Sequence, residues 1–129
     1  MVGDTPQKIT GQESVISRLG YWPEFCDARF LEIQFSRHTE WGAVLSMLLH
    51  YIDADKGFDL KVKIVLVGIV HMEFNEFRVE NAVDCISLMD SGEDGVKFGI
   101  EAAAGLDGEC ACTAANIELV SIEPWSCGI

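Results

Sequence analysis

Leu31-Glu32-Ile33-Gln34-Phe35-Ser36 decides the fold class, because its apolar residues fall on odd positions and its polar residues on even ones. That period-two code marks a β-strand with one wet face. Toward the C-terminus the code returns: Leu60, Val62, Ile64 and Leu66 alternate with Lys61 and Lys63. This strand is expected to become buried on both faces near Val67. Gly68 then marks a bulge or turn before Val70-His71-Met72-Glu73-Phe74. Between these two strands, residues 44–52 are apolar apart from Ser46 and His50. Periodicity alone does not separate strand from helix there, but the turn cluster Asp53 to Gly57 arrives early enough to favour a strand. Residues 82–89 and 96–103 read as strands joined by the turn Asp90-Ser91-Gly92-Glu93-Asp94-Gly95. The last strand runs from Ala114 to Ile122, with a short strand expected at 109–113 and Pro124 closing the element.

On the N-terminal side the pattern is helical. Thr10 and Glu13 have the spacing of a capping box, with Val15, Ile16 and Leu19 as the apolar face of a helix over 11–19. Gly20 is placed to end it and Pro23 prevents its continuation. The expected architecture is therefore α+β: a short N-terminal helix followed by a six- to seven-stranded, mainly antiparallel, curled β-sheet, barrel-like or sandwich-like. Loops too short for crossover helices dictate the antiparallel pairing. The expected organisation is one domain over 1–129, with a flexible lead at 1–9, the helix at 10–20 and the sheet at 27–123.

Composition narrows the function. The chain has 129 residues with 21 acids against 9 bases, a formal charge of −12. Residues 1–63 hold nine acids and seven bases, whereas 64–129 hold twelve acids and only Arg78 and Lys97 as bases. Clustered Lys and Arg are what phosphate binding requires, so no nucleic acid and no anionic membrane is expected as a direct partner. No secretory layout opens the sequence and no apolar run reaches membrane-spanning length, so the expected location is cytoplasmic. Five cysteines, an odd number, agree with a reducing compartment.

Catalytic and metal patterns fail on spacing. Cys110-Ala111-Cys112 has one intervening residue and Cys127 stands apart, while His38, His50 and His71 lie on separate elements. No metal and no cofactor is expected. The loop from Asp53 lacks the glycine and the closing glutamate of a calcium loop, with Phe58 and Ile64 at those positions, and reads as a solvated turn. A set built on Cys26, Asp27 and a distant histidine lacks the electropositive setting that activates a thiol. No catalytic residue is assigned, and the chain is read as a non-enzyme.

The most unusual stretch is Gly20-Tyr21-Trp22-Pro23-Glu24-Phe25-Cys26-Asp27-Ala28-Arg29-Phe30. Trp22 and Phe25 would anchor the helix on the sheet, and Asp27 would cap a turn with its carboxylate. This stretch resembles the G-Y-W-P-x-F-H-D-A-E motif of the immunity protein 50 family of bacterial polymorphic toxin systems. The ending Val120-Ser121-Ile122-Glu123-Pro124 is similar to that family's close as well. Two positions depart: Cys26 stands where the family usually has His, and Arg29 where it usually has Glu. The resemblance implies a non-enzymatic inhibitor that neutralises a cognate toxin.

The motif residues Tyr21, Trp22, Pro23, Phe25, Asp27 and Ala28 are then read as scaffold. The acidic half is read as the partner-binding surface for a basic toxin domain, through Glu73, Glu76, Glu80, Asp84, Glu93, Asp94, Glu101, Asp107 and Glu109. A small-molecule-binding β module, with Phe35, Met47, Phe74 and Phe98 around a hydrophobic pocket, is the alternative. A third reading is a thiol hydrolase using Cys26. An unclosed sheet also leaves edges, for which pairing into a homodimer is one outlet.

Overall fold

The computed structural model describes residues 8–125. Seven strands and one short helix follow in chain order: β1 (Ile9–Thr10), α1 (Gln12–Leu19), β2 (Arg29–His38), β3 (Gly42–Asp53), β4 (Phe58–Asn75), β5 (Ala82–Asp90), β6 (Val96–Ala104) and β7 (Asp107–Pro124). A single 3-10 turn, Gly92–Asp94, links β5 to β6. The sheet order is β1-β7-β4-β3-β2-β5-β6, and β6 also pairs with β7, so the curled sheet closes on itself as a barrel. Every pairing is antiparallel except that of β1 with β7. No helix among the described residues is long and apolar enough to cross a membrane.

The alternation that predicts the strands also builds the core. Leu60, Val62, Ile64 and Leu66 of β4 are fully buried, and Met47 and Leu49 stand opposite two of them on β3. Burial of each such side chain contributes about 1.5–3 kcal/mol. Strands expected as pairs merge: 60–67 and 70–74 form one strand, and so do 109–113 and 114–122. Gly68 does mark the irregularity. It adopts φ +68°, and β4 shifts register against β7 between Ile69 and His71.

Two expectations at the N-terminus are corrected. The part of the predicted flexible lead that is described is ordered: Ile9 pairs with Ala115, and the Ala115 amide donates to the Lys8 carbonyl at 2.8 Å. Residues 1–7 lie outside the described residues. The capping box does not form either. Gly11 is the cap residue, with φ +89° and no side-chain cap bond. Thr10 is held in β1, its hydroxyl bonded to Asn116 at 3.2 Å. A Cβ at position 11 would collide with the Ile117 carbonyl, so the close approach to β7 requires glycine. Gly20 ends α1 as expected, at φ +89° with its amide bonded to the Ile16 carbonyl. Val15 and Leu19 are buried, while Ile16 is 39% exposed.

The aromatic-proline segment joins three elements. Phe25 and Ala28 are fully buried, and Phe25 meets Trp22 and Tyr51 edge-on with centroids 5.5 and 5.6 Å apart. The Tyr21 hydroxyl donates to Asp53 at 2.6 Å and lies 3.0 Å from that of Tyr51. Burial, reinforced by the Asp53 bond, pushes the Tyr21 hydroxyl pKa far up. On its other side the segment stitches β5 to the barrel, since β2 and β5 share only the Arg29–Ala82 bridge. Asp27 N donates to Val83 O, Val83 N to Ala28 O, and Ile86 N to Glu24 O, each at 2.8 Å.

Candidate partner-binding face

The site is built from register. Across β6, β7 and β4, directly opposed residues share a face. Gly99, Glu109 and Glu73 form one row, since Glu109 pairs with both of the others. Lys97, Ala111 and His71 form the row beside it. On the other side Asp107 pairs with Asn75, and its carboxylate accepts the Ala102 amide at 3.3 Å, next to Glu101. Cys85, Ser87 and Met89 of β5 extend the grid, opposite Glu101, Gly99 and Lys97. All the charged members are exposed, so this is the outer face of the barrel.

Electrostatically the face is one-sided. Glu73 and Glu109 are directly opposed like charges, an arrangement that destabilises a bare sheet. Asp107 and Glu101 continue the negative strip; Lys97 and His71 stand at one end of it, and Arg78, paired with Glu76, lines a depression with Asp107 at the other. Small residues leave the strip open. Gly99 puts no side chain beside Glu109, and a depression of about 320 Å³ is lined by Glu73, Asn75, Asp107, Gly108 and Glu109.

Glu73, Glu101, Asp107 and Glu109 are thus brought together out of the nine acids singled out in the sequence. Four of the other five are placed elsewhere. Glu76 lies just past the end of β4, its carboxylate 3.0 Å from Arg78, and lines a depression with Asp107. Glu80 is ion-paired with Arg29. Asp84 sits at the β5 register shift, its charge felt by the thiols of Cys26 and Cys85. Glu93 and Asp94 occupy the β5–β6 turn, at the opposite end of that hairpin from Glu101. His71, Lys97, Gly99 and Ala111 shape the face yet escaped a reading based on charge alone. Same-parity spacing within 71–75, 97–101 and 107–111 is the signal that could have found them.

The remaining candidates find other settings. The Asp27 backbone is bonded at φ +67°, and its carboxylate makes no hydrogen bond among the described residues, so the expected turn cap is replaced by a main-chain one. Cys26 is exposed, and its thiol pKa is pushed up by desolvation and by the Asp27, Asp84 and Glu24 carboxylates. That shift is the reverse of what a nucleophile needs. Met47 and Phe98 are packed core, Phe35 is 51% exposed and Phe74 lies against the core's margin, so the four aromatic and methionine positions occupy three different settings. Cys110 and Cys112 are buried free thiols; the bond to Cys112, together with burial, holds Cys110 well above the usual thiol range. The acidic turn at Asp53 is a turn, but Asp53 itself is buried, bonded to Tyr21 and to the Lys56 amide. Among the described residues no group of three or more His, Cys, Asp or Glu side chains is arranged to hold a metal.

Fold and face together define a small, mostly antiparallel β-barrel with an acidic outer strip. The chain belongs to the immunity protein 50 family: the family model described as Immunity protein 50 matches residues 11–123. That span includes the whole aromatic-proline segment and all the strands from β2 to β6. Membership implies an immunity protein with a protein partner and a non-enzymatic role. No curated protein and no solved structure matches the chain.

Proposed function

We propose that the chain neutralises a cognate toxin domain in the bacterial cytoplasm by covering a basic surface of it with the acidic strip. The observation that supports this reading most directly is the opposed pair Glu73 and Glu109. Glu73 and Glu109 face each other across β4 and β7 with no salt bridge to either among the described residues, and a partner's Lys or Arg placed between them would bond both. Asp107 and Glu101 extend the same field, and a concentrated field of one sign raises the association rate with an oppositely charged partner.

The test is inhibition of a basic toxin domain, taken from the reading frame beside this gene, by the purified chain at low and at high salt. Inhibition at low salt that weakens steeply as salt rises is the expected result, because exposed charges more than about 8–10 Å apart are largely screened at physiological ionic strength. Inhibition indifferent to salt would remove the acidic strip from the account.

A further inference from the structure

β2 pairs with β3 along its length, but on its other side it meets β5 only at Arg29. From Glu32 to His38 its main chain therefore presents an unpaired edge among the described residues. Natural proteins guard such edges with charge, bulges or a covering element. This one carries Glu32, Arg37 and His38 and a register shift between Phe30 and Glu32, yet leaves an exposed aromatic at its centre. Phe35 shares its face with buried Leu45, yet it stands 51% exposed. Leu31, Phe77 and Val79 are also exposed, around a cleft of about 220 Å³ beside the start of the strand. Trp41, in the β2–β3 turn, is exposed as well.

We propose that this edge joins two copies of the chain, β2 against β2, antiparallel about a twofold axis at Phe35. The sequence of the strand is complementary to itself in that register. Phe35 meets Phe35 of the second copy, an aromatic cross-strand pair. On the wet face Gln34 stands opposite Ser36, and Glu32 opposite His38, so that each polar side chain meets one it can bond. His38 is already turned to that face, its Nε2 3.2 Å from the Ser36 hydroxyl. Ile33 stands opposite Arg37, whose aliphatic stem covers apolar surface. The same symmetry carries Trp41 of each copy past the end of the paired edge, toward the exposed Phe77 and Val79 of the other.

Charge selects this surface for self-contact. In a chain of net charge −12, the unpaired stretch of β2 carries Arg37 and His38 against the single acid Glu32, while Arg29 is ion-paired with Glu80. Two copies meeting here avoid direct opposition of their acidic halves, while their overall repulsion persists at longer range. Added salt screens that repulsion, so pairing is expected to tighten as salt rises, the reverse of the trend for a basic partner on the acidic strip.

Sedimentation of the purified chain across a wide concentration range, at low and moderate salt, tests the proposal. A reversible dimer that tightens with salt is expected, and Phe35→Asp should leave a folded monomer by circular dichroism. Glu32→Arg should weaken the dimer about tenfold, since two symmetry-related pairs are reversed at once, and adding His38→Glu should restore it. A chain monomeric at every concentration overturns the proposal, as does a dimer untouched by Phe35→Asp. A monomer in which Phe35→Asp instead weakens toxin binding assigns the edge to a foreign strand, and overturns it too.

Discussion

Asp53, read in the sequence as part of a turn, and Asn81, unassigned in the sequence, prove to be buried joints. Asp53 is 8% exposed; it accepts the Tyr21 hydroxyl and the Lys56 amide, and so ties the helix end to the β3–β4 turn. Lys56 completes the joint, its ammonium bonded to the Leu19 carbonyl at 2.6 Å. Asn81 is 7% exposed; its side chain bonds the Arg78 amide and carbonyl and the Leu106 amide, bracing the β4–β5 loop against the β6–β7 turn. Nothing in the short-range pattern marks either as structural; the partners Tyr21 and Leu106, distant in sequence, make them so. The Tyr21 bond holds the Asp53 carboxyl below its ordinary value of 3.8. A depressed carboxylate contributes stability in full above that value and loses it as pH falls through the folded value. Urea unfolding from neutral into acid pH should therefore show an acid-dependent loss that is smaller in Asp53→Asn. Equal acid slopes in the two proteins would contradict the assignment.

At the scale of elements, strand existence was legible because β2, β4, β5 and β6 keep a strict alternation or clear turn signals. Residues 44–52 were legible as a strand by length, the turn at Asp53 arriving too soon for a helix. Continuity was not: a bulge at Gly68 looks the same in sequence as a turn, and only pairing with β7 carries the strand through it. The helix start was misplaced for the same reason, since Thr10 is claimed by β1. In the aromatic-proline segment the burial of Phe25 was legible from composition, but the seam with β5, some 58 residues away at Val83, was not. Because Phe25 is fully buried between Trp22 and Tyr51, Phe25→Ala should cost about 3–5 kcal/mol in urea unfolding. Hydrogen exchange at the Val83 amide, which bonds Ala28, should speed up more than at Leu66 in the barrel spine. A loss below 1 kcal/mol would contradict the reading of this segment as the latch of the β2–β5 seam.

For the whole molecule, the division of charge between the two halves of the sequence becomes a division in space only in part. Four acids of the C-terminal half converge because β4 and β7 run side by side for most of their length, bringing Glu73 opposite Glu109. Glu93 and Asp94 carry the same charge at the other end of the β5–β6 hairpin, where the turn places them. Sequence shows the excess of charge; register across distant strands decides which charges act together. The most direct test is the Kd of a cognate toxin domain for three forms: the unaltered chain, Glu73→Gln with Glu109→Gln, and Glu93→Gln with Asp94→Gln. Both double variants remove the same charge, so a general effect of acidity would weaken them equally. The account predicts about tenfold or greater weakening for the Glu73 and Glu109 pair and near-unaltered binding for the Glu93 and Asp94 pair. Equal weakening of the two, or a loss confined to Glu93 and Asp94, would contradict it.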